Sequence, residues 1–140
     1  MSELIQQAVF TPFNNKYHVS KHRHDYVSFF DANNKSHFID GGTDYCRRSF
    51  LGTSEDMKGM GIKDWCLTSR DSWKKICQRL LWGTRGKKGD EPLEYRPIAS
   101  FDLPHLRAII VHCPDINPMH KAVVLHWIEV KTQQAYDKGH

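Results

Sequence analysis

The stretch that decides the fold is DYVSFFDANNKSHFIDGG, residues 25–42. Residues 25–31 and 36–40 are rich in β-branched and aromatic side chains, which favour strands. The Ala-Asn-Asn-Lys segment at 32–35 has the composition of a hairpin turn. Gly41 and Gly42 end the second strand. The stretch therefore predicts an antiparallel β-hairpin.

Weaker strand patterns lie on both sides of this hairpin, at residues 17–20, 45–50, 62–67 and 93–98. Residues 1–15 are compatible with a short strand or a helical turn, and we expect a weakly structured N-terminus.

Three helices are predicted in the second half of the chain. Ser69 or Asp71 can cap the first, which carries an apolar stripe and is expected to end at Gly83. Asp102 can cap a second helix over residues 103–112, and Asn117-Pro118 is a strong start signal for a third. A strand over residues 122–130 competes with the third helix. We expect a frayed tail at 133–140.

A chain of 140 residues predicts a single domain, 1–140. The pattern predicts an α+β fold in which a small antiparallel β-sheet packs against two or three helices. The sheet is expected to come from residues 17–67, with 93–98 as a further short strand.

Charge and cysteine usage bound the function. Lys and Arg number 20 against 16 Asp and Glu, a net charge of +4, which permits phosphate contacts but lacks the dense basic stripe of dedicated nucleic-acid binders. The four cysteines form no CxxC pair, which argues against a zinc ribbon and for reduced thiols. We find no signal-peptide pattern and no membrane-spanning run, and we therefore expect a cytoplasmic protein without a membrane partner.

A histidine-rich segment is the first candidate site. If the segment is a strand, His22 and His24 project on one face. With Asp25 or Asp40 they suit a divalent metal, or His24 suits a general base. We favour the alternative that these side chains hydrogen-bond the backbone and hold a turn. Two imidazoles fall short of three convergent ligands, and we assign no metal, no cofactor and no catalytic residue.

The second candidate is the bend that follows the hairpin. Gly41 and Gly42 admit positive φ and offer N–H groups that can bind an anion. Tyr45 lies beside them, and Arg47 and Arg48 suit bidentate contact with phosphate or carboxylate. The competing interpretation is a tight turn in which Asp40 bonds its own backbone while the arginines are solvated. The two roles are compatible.

The third candidate is the basic loop that contains Arg85, Lys87 and Lys88. It lacks the spacing of a phosphate-binding loop and is expected to follow a helix, where the dipole disfavours anions. We interpret it as a helix stop followed by a flexible loop that leaves phosphate or nucleic-acid contact open.

Several segments together resemble motifs of small uncharacterised bacteriophage proteins. The segments are SKHRHDYV at 20–27, IDGGTDYCRR at 39–48, WGTRGKKGDEPLEY at 82–95 and LPHLRAII at 103–110. The resemblance covers roughly residues 17–112. It implies a phage accessory protein acting in the host cytoplasm, on a host factor or an anti-phage defence component.

Our leading hypothesis is a non-enzymatic binding protein of phage origin that modulates a host or defence-system protein, a host–virus interaction. A homo-oligomer is also left open. The ligand-binding surface would comprise His22, His24, Asp25, Asp40, Gly41, Gly42, Tyr45, Arg47 and Arg48. One alternative is a metal-dependent hydrolase or nuclease that uses His22, His24, Asp25 and Asp40. The other is a nucleic-acid-binding protein that uses Arg47, Arg48, Arg85, Lys87 and Lys88.

Overall fold

The computed structural model describes residues 3–50, 57, 59–86 and 88–138. Nine strands and three α-helices confirm the α+β class within these residues. Length predicted one domain, whereas the chain divides into two compact units, Met1–Asp71 and Ser72–His140. Each unit is described by itself.

The first sheet of the first unit is built around strand β1, Leu4–Thr11. It pairs antiparallel with three strands: β2 (Lys16–Ser20), β6 (Lys63–Asp64) and β7 (Leu67–Thr68). This corrects the weakly structured N-terminus expected for residues 1–15. Gln6 and Gln7 break the alternation that signals a strand, yet both are buried, and each side-chain amide donates to backbone carbonyl groups.

The second sheet contains the hairpin that the sequence predicted. Its antiparallel strands are β3 (Val27–Phe30), β4 (Ser36–Asp40) and β5 (Arg47–Arg48). The turn closes with the Asp31 N–H donating to the Lys35 carbonyl at 2.9 Å. Asn34 takes a positive φ of 63°, which asparagine tolerates better than most residues.

A shared core joins the two sheets of this unit. Val9 of β1 packs with Phe29 and Ile39 of the hairpin, and with Phe50 and Ile62. Because Phe29 and Ile39 face this core, strand alternation turns residues 28, 30, 36 and 38 to the opposite side of the sheet.

The second unit begins with helix α1, Trp73–Arg79, whose cap is Ser72 and not the expected Ser69 or Asp71: the Ser72 side chain accepts a hydrogen bond from the Lys75 N–H. The helix ends before Gly83, which corrects the expected C-terminal stop. Gly83 instead lies in strand β8 (Leu81–Thr84), which pairs with β9 (Glu94–Pro97). A Cβ on Gly83 would lie 3.1 Å from the Leu93 side chain, so packing explains the glycine.

A 3₁₀ turn, Ile98–Ser100, leads to helix α2, Leu103–His112, which Asp102 caps as predicted. Helix α3 spans Pro118–Lys138, so the competing strand at 122–130 does not form. The helix continues through most of the tail expected to fray. The described residues contain no helix that is both long and apolar enough to cross a membrane.

Candidate functional site

Two turns of the first unit meet at one place: the histidine-rich segment after β2 and the glycine bend after β4. The histidine-rich segment is a turn and not a strand, because the Asp25 N–H donates to the His22 carbonyl at 3.0 Å. His24 has a positive φ of 65°. The expectation that His22 and His24 share one strand face is therefore wrong.

The backbones of the two turns touch at Gly42. A Cβ built there would lie 2.4 Å from the carbonyl carbon of His22, and Gly42 has a φ of +56°. The Ser20 hydroxyl accepts from the Gly42 N–H at 2.9 Å and donates to the Asp25 carbonyl at 2.6 Å. One hydroxyl thus ties both turns together, and only glycine fits the point of contact.

The buried Gln7 side chain of β1 hydrogen-bonds the backbone of the glycine bend. The Gln7 amide nitrogen lies 3.1 Å from the Asp40 carbonyl, 2.8 Å from the Gly42 carbonyl and 3.0 Å from the Tyr45 carbonyl. Gln7 is fully buried. It satisfies carbonyl groups that the bend withdraws from water. Local sequence patterns do not reveal this role of Gln7, because its partners are more than thirty positions away.

Above the bend, four polar side chains form a continuous chain of hydrogen bonds, which we call the polar chain: His24, Tyr45, Asp40 and Arg47. The His24 Nδ1 lies 3.0 Å from the Tyr45 hydroxyl oxygen, and that hydroxyl donates to Asp40 Oδ2 at 3.4 Å. Arg47 donates to the same oxygen through Nε and Nη2, both at 3.2 Å.

Burial differs along the polar chain, and the difference decides what it can do. The Asp40 side chain is 8% exposed and the Arg47 side chain 62%. Asp40 is therefore a buried anchor, and Arg47 keeps donors facing water. The other carboxylate oxygen, Asp40 Oδ1, is buried and has no hydrogen-bond partner in the described part of the chain. Asp40 Oδ2 is thus the oxygen that orients Tyr45 and Arg47.

Two residues of the candidate surface do not join the polar chain through their side chains. The Asp25 carboxylate accepts from the Lys21 N–H at 2.7 Å and so caps its own turn. The His22 Nδ1 lies 3.1 Å from the carbonyl of the adjacent Arg23. Both bonds fit the turn-holding role favoured from the sequence.

The two arginines of β5 point to opposite faces of the sheet. The Arg47 guanidinium carbon lies 4.9 Å from the centre of the Phe38 ring on the exposed face. Arg48 is 16% exposed, packs over Phe50 at 5.4 Å and contacts Asp64 and the Cys66 sulfur. The Arg48 side chain therefore has its partners inside the first unit. It was predicted to lie on the ligand-binding surface.

Cys66, beside Arg48, is a structural thiol. Burial raises the pKa of Cys66 to about 12 and outweighs the attraction of the Arg48 charge. A thiol held protonated at neutral pH is a poor nucleophile.

A second buried network, which the sequence analysis did not single out, lies under the hairpin. The Asp31 Oδ2 is 2.8 Å from His37 Nε2, and His37 Nδ1 is 3.3 Å from the Ser49 hydroxyl. Burial by itself would raise the pKa of Asp31, but hydrogen bonds from the Lys35 N–H and from His37 outweigh it and lower that pKa. Because Ser49 also accepts from the Phe38 N–H at 2.8 Å, the network fastens the sheet.

The metal-binding alternative finds no support in side-chain placement. Within residues 3–50, 57, 59–86 and 88–138, no three His, Cys, Asp or Glu side chains converge as metal ligands would. Of the four residues proposed as ligands, His22 and Asp25 turn to backbone partners, as described above.

The basic loop lies in the second unit and connects β8 to β9. It follows a strand, which corrects its interpretation as a helix stop. Arg85 and Lys88 are exposed, whereas Lys87 lies outside the described residues. A Cβ on Gly86 would lie 2.2 Å from the Glu91 carboxylate. The concavity in this loop is lined by Lys88, Asp90 and Glu91. This mixture of charges weakens the loop as a phosphate site.

Comparison with known proteins adds no further information: no family model, no curated protein and no solved structure matches the chain.

Proposed function

We propose that this protein is a non-enzymatic accessory protein of phage origin that acts in the host cytoplasm by binding and modulating a host or anti-phage defence component. The phage origin rests on the sequence resemblance described above. The binding role rests on the polar chain of His24, Tyr45, Asp40 and Arg47.

The observation that carries the proposal is the division of the polar chain into a buried anchor and exposed binding groups. Asp40 is held by the bend that Gln7 braces, and it fixes Tyr45 and Arg47 through charge-assisted hydrogen bonds. A half-buried tyrosine and an exposed arginine that are held in place lose little conformational entropy on binding. Both residue types are enriched where interfaces concentrate their binding energy.

Binding is favoured over catalysis because the polar chain ends in solvent without a group in the role of nucleophile. The metal-dependent alternative needs convergent ligands, and the residues named for it are partly engaged in turns. An arginine with free donors suits a carboxylate or a phosphate on the bound component.

The test is photo-crosslinking in infected cells. A photoreactive amino acid replaces Asp44, which is exposed and next to Tyr45, and a matched one replaces Arg107, exposed on α2. We expect a discrete host or defence species to crosslink from position 44 and not from position 107.

Arg47→Ala and Tyr45→Phe in the position-44 background serve as the second arm. Each removes one hydrogen-bonding group of the polar chain, and we expect the crosslinked species to fall at least severalfold. Equal crosslinking from positions 44 and 107, or a yield unchanged by both substitutions, would refute the proposed surface.

A further inference from the structure

The outward side of the second sheet carries exposed aromatic rings beside the polar chain. We call this side the outer face and define it by strand alternation and register. Its residues are Tyr26, Ser28, Phe30, Ser36, Phe38, Asp40 and Arg47.

Aromatic exposure on the outer face is large for a folded domain. Tyr26 is 57% exposed and Phe30 is 58% exposed. The Tyr26 ring stacks on Phe38, with centroids 4.8 Å apart and an angle of 24° between the planes. Arg47 also packs against Phe38. These contacts hold the Tyr26 ring and the guanidinium in place while leaving surface of each in solvent.

Spacing on the face suits consecutive flat groups. Tyr26 and Phe30 are four residues apart along the chain, about 13 Å in an extended strand. The small side chain of Ser28 lies between them on β3, and Ser36 lies opposite Phe30 on β4. Two exposed rings separated along β3 by one small hydroxyl residue leave room for planar groups to stack on each ring.

The charge of the face is suited to an anion. Arg47 lies on it, and the exposed Arg23 and Lys35 lie in the turns that flank β3. Among the described residues of the outer face the acidic side chain is Asp40, which is buried and paired with Arg47. A ligand that combines planar rings with a regularly charged backbone matches this arrangement.

We propose that the outer face binds single-stranded nucleic acid, with bases stacked on Tyr26 and Phe30 and with phosphates near Arg47, Arg23 and Lys35. This inference rests on the proposed binding role and names the chemistry of the component that is bound, whether a free strand or the strand of a ribonucleoprotein. It differs from the loop-based hypothesis because it does not need Arg85, Lys87 or Lys88.

A protein surface is the competing occupant, since tyrosine and arginine also mark protein interfaces. Salt dependence separates the two ligands. Releasing counterions from single-stranded nucleic acid gives a slope of log affinity against log salt of about −0.7 per phosphate contact. Three cations therefore predict a slope of about −2.

The experiment uses the full chain and fluorescein-labelled oligothymidylate and oligouridylate of about 12 nucleotides, within the site size of small single-strand binders. Fluorescence anisotropy is measured from about 50 to 200 mM salt. A duplex of equal length is measured beside them. We expect the single strands to bind more tightly than the duplex, because paired bases cannot stack on the two rings.

Substitutions give the sharper readout. Phe30→Ser and Tyr26→Ser should each weaken binding roughly 5- to 100-fold. Arg47→Ala should also weaken it and reduce the magnitude of the salt slope by about 0.7. The matched controls are Phe13→Ser, which removes a ring that is 54% exposed outside this face, and Arg107→Ala. Both controls should bind as the unsubstituted chain does.

Four outcomes overturn the inference: no binding of either oligonucleotide, equal binding of duplex and single strand, equal loss in Phe13→Ser, or self-association of the chain that Phe30→Ser abolishes. If the oligonucleotides fail while crosslinking from position 44 still depends on Arg47, the inference falls and the proposed function stands. If both experiments fail, both fall. Melting temperatures check that each variant is folded.

Discussion

Replacing Gln7 by methionine should selectively destabilise the first unit. The two side chains have similar volume, so the substitution removes the amide without opening a large cavity. The Gln7 nitrogen faces three carbonyl groups, at 2.8, 3.0 and 3.1 Å. An amide nitrogen carries two hydrogens, so the three contacts amount to two hydrogen bonds, one of which is shared between two carbonyl groups.

The magnitude follows from the fate of those carbonyl groups. Each buried hydrogen bond contributes about 1 kcal/mol net, and an acceptor left unsatisfied costs about 1–3 kcal/mol. The loss of Gln7 Oε1 acts in the opposite direction. This oxygen is buried without a donor among the described residues, so removing it stabilises the folded state. We expect a loss of about 2–3 kcal/mol in the free energy of unfolding.

The assay is urea unfolding followed by residue-resolved NMR, which reports on the first unit separately. With an m-value of about 1–3 kcal/mol/M, the midpoint should fall by about 0.7–3 M with the m-value unchanged. Gln133→Met, an exposed site on α3, is the control and should shift it little. A loss below about 0.5 kcal/mol for Gln7→Met, the range of ordinary surface substitutions, would refute the bracing role.

Three further predictions concern the same unit. Gly42→Ala should lower the free energy of unfolding in urea by at least about 2 kcal/mol, because its Cβ would lie 2.4 Å from the His22 backbone. The control is Gly59→Ala, where a Cβ meets nothing within 4 Å, and it should be nearly neutral. Equal effects of the two substitutions would contradict the contact at Gly42. Burial, helped by the Lys16 charge, lowers the pKa of His18 from 6.5 to about 4, so between those values the unfolded chain binds more protons and the free energy of unfolding should fall on acidification. Allowing for the partial exposure of His18, the free energy of unfolding should fall by about 1 kcal/mol over this pH range. In His18→Gln, unfolding measured across the same range should lack this decrease. Asp31→Asn should cost about 2–4 kcal/mol at neutral pH. Because hydrogen bonds lower the pKa of Asp31 in the folded state, the difference from the unsubstituted protein should shrink as the pH drops through that pKa, and a pH-independent difference would contradict an ionised Asp31 held by these hydrogen bonds.

Local signals in the sequence determined several elements of the fold. The hairpin of residues 27–40 formed as predicted because its strands alternate and its turn lies between them. Helix α2 begins at the predicted cap, where Asp102 offers a side-chain oxygen to a backbone N–H, whereas α1 is capped by Ser72 and not by the expected Ser69 or Asp71. The hairpin turn and the caps depend on residues within four positions of one another, so composition and spacing indicate where they lie.

The candidate site could be predicted only as a set of residues. The sequence singled out His24, Asp40, Tyr45 and Arg47, and the structure brings these four together. It also singled out His22, Asp25 and Arg48, whose side chains turn elsewhere. The difference lies in a positive φ at His24 and in the alternation of a two-residue strand, which sends Arg47 outward and Arg48 inward.

Contacts between distant segments decided the rest. Burial of β1 depends on partners at residues 16–20 and 63–68, and the brace from Gln7 reaches residues 40–45. The outer face with its exposed aromatic rings exists because Phe29 and Ile39 occupy the core side of the same strands. Sequence by itself determines which residues favour a turn, a strand or a cap. Only tertiary packing decides which face is buried, because burial requires a partner that local sequence does not specify.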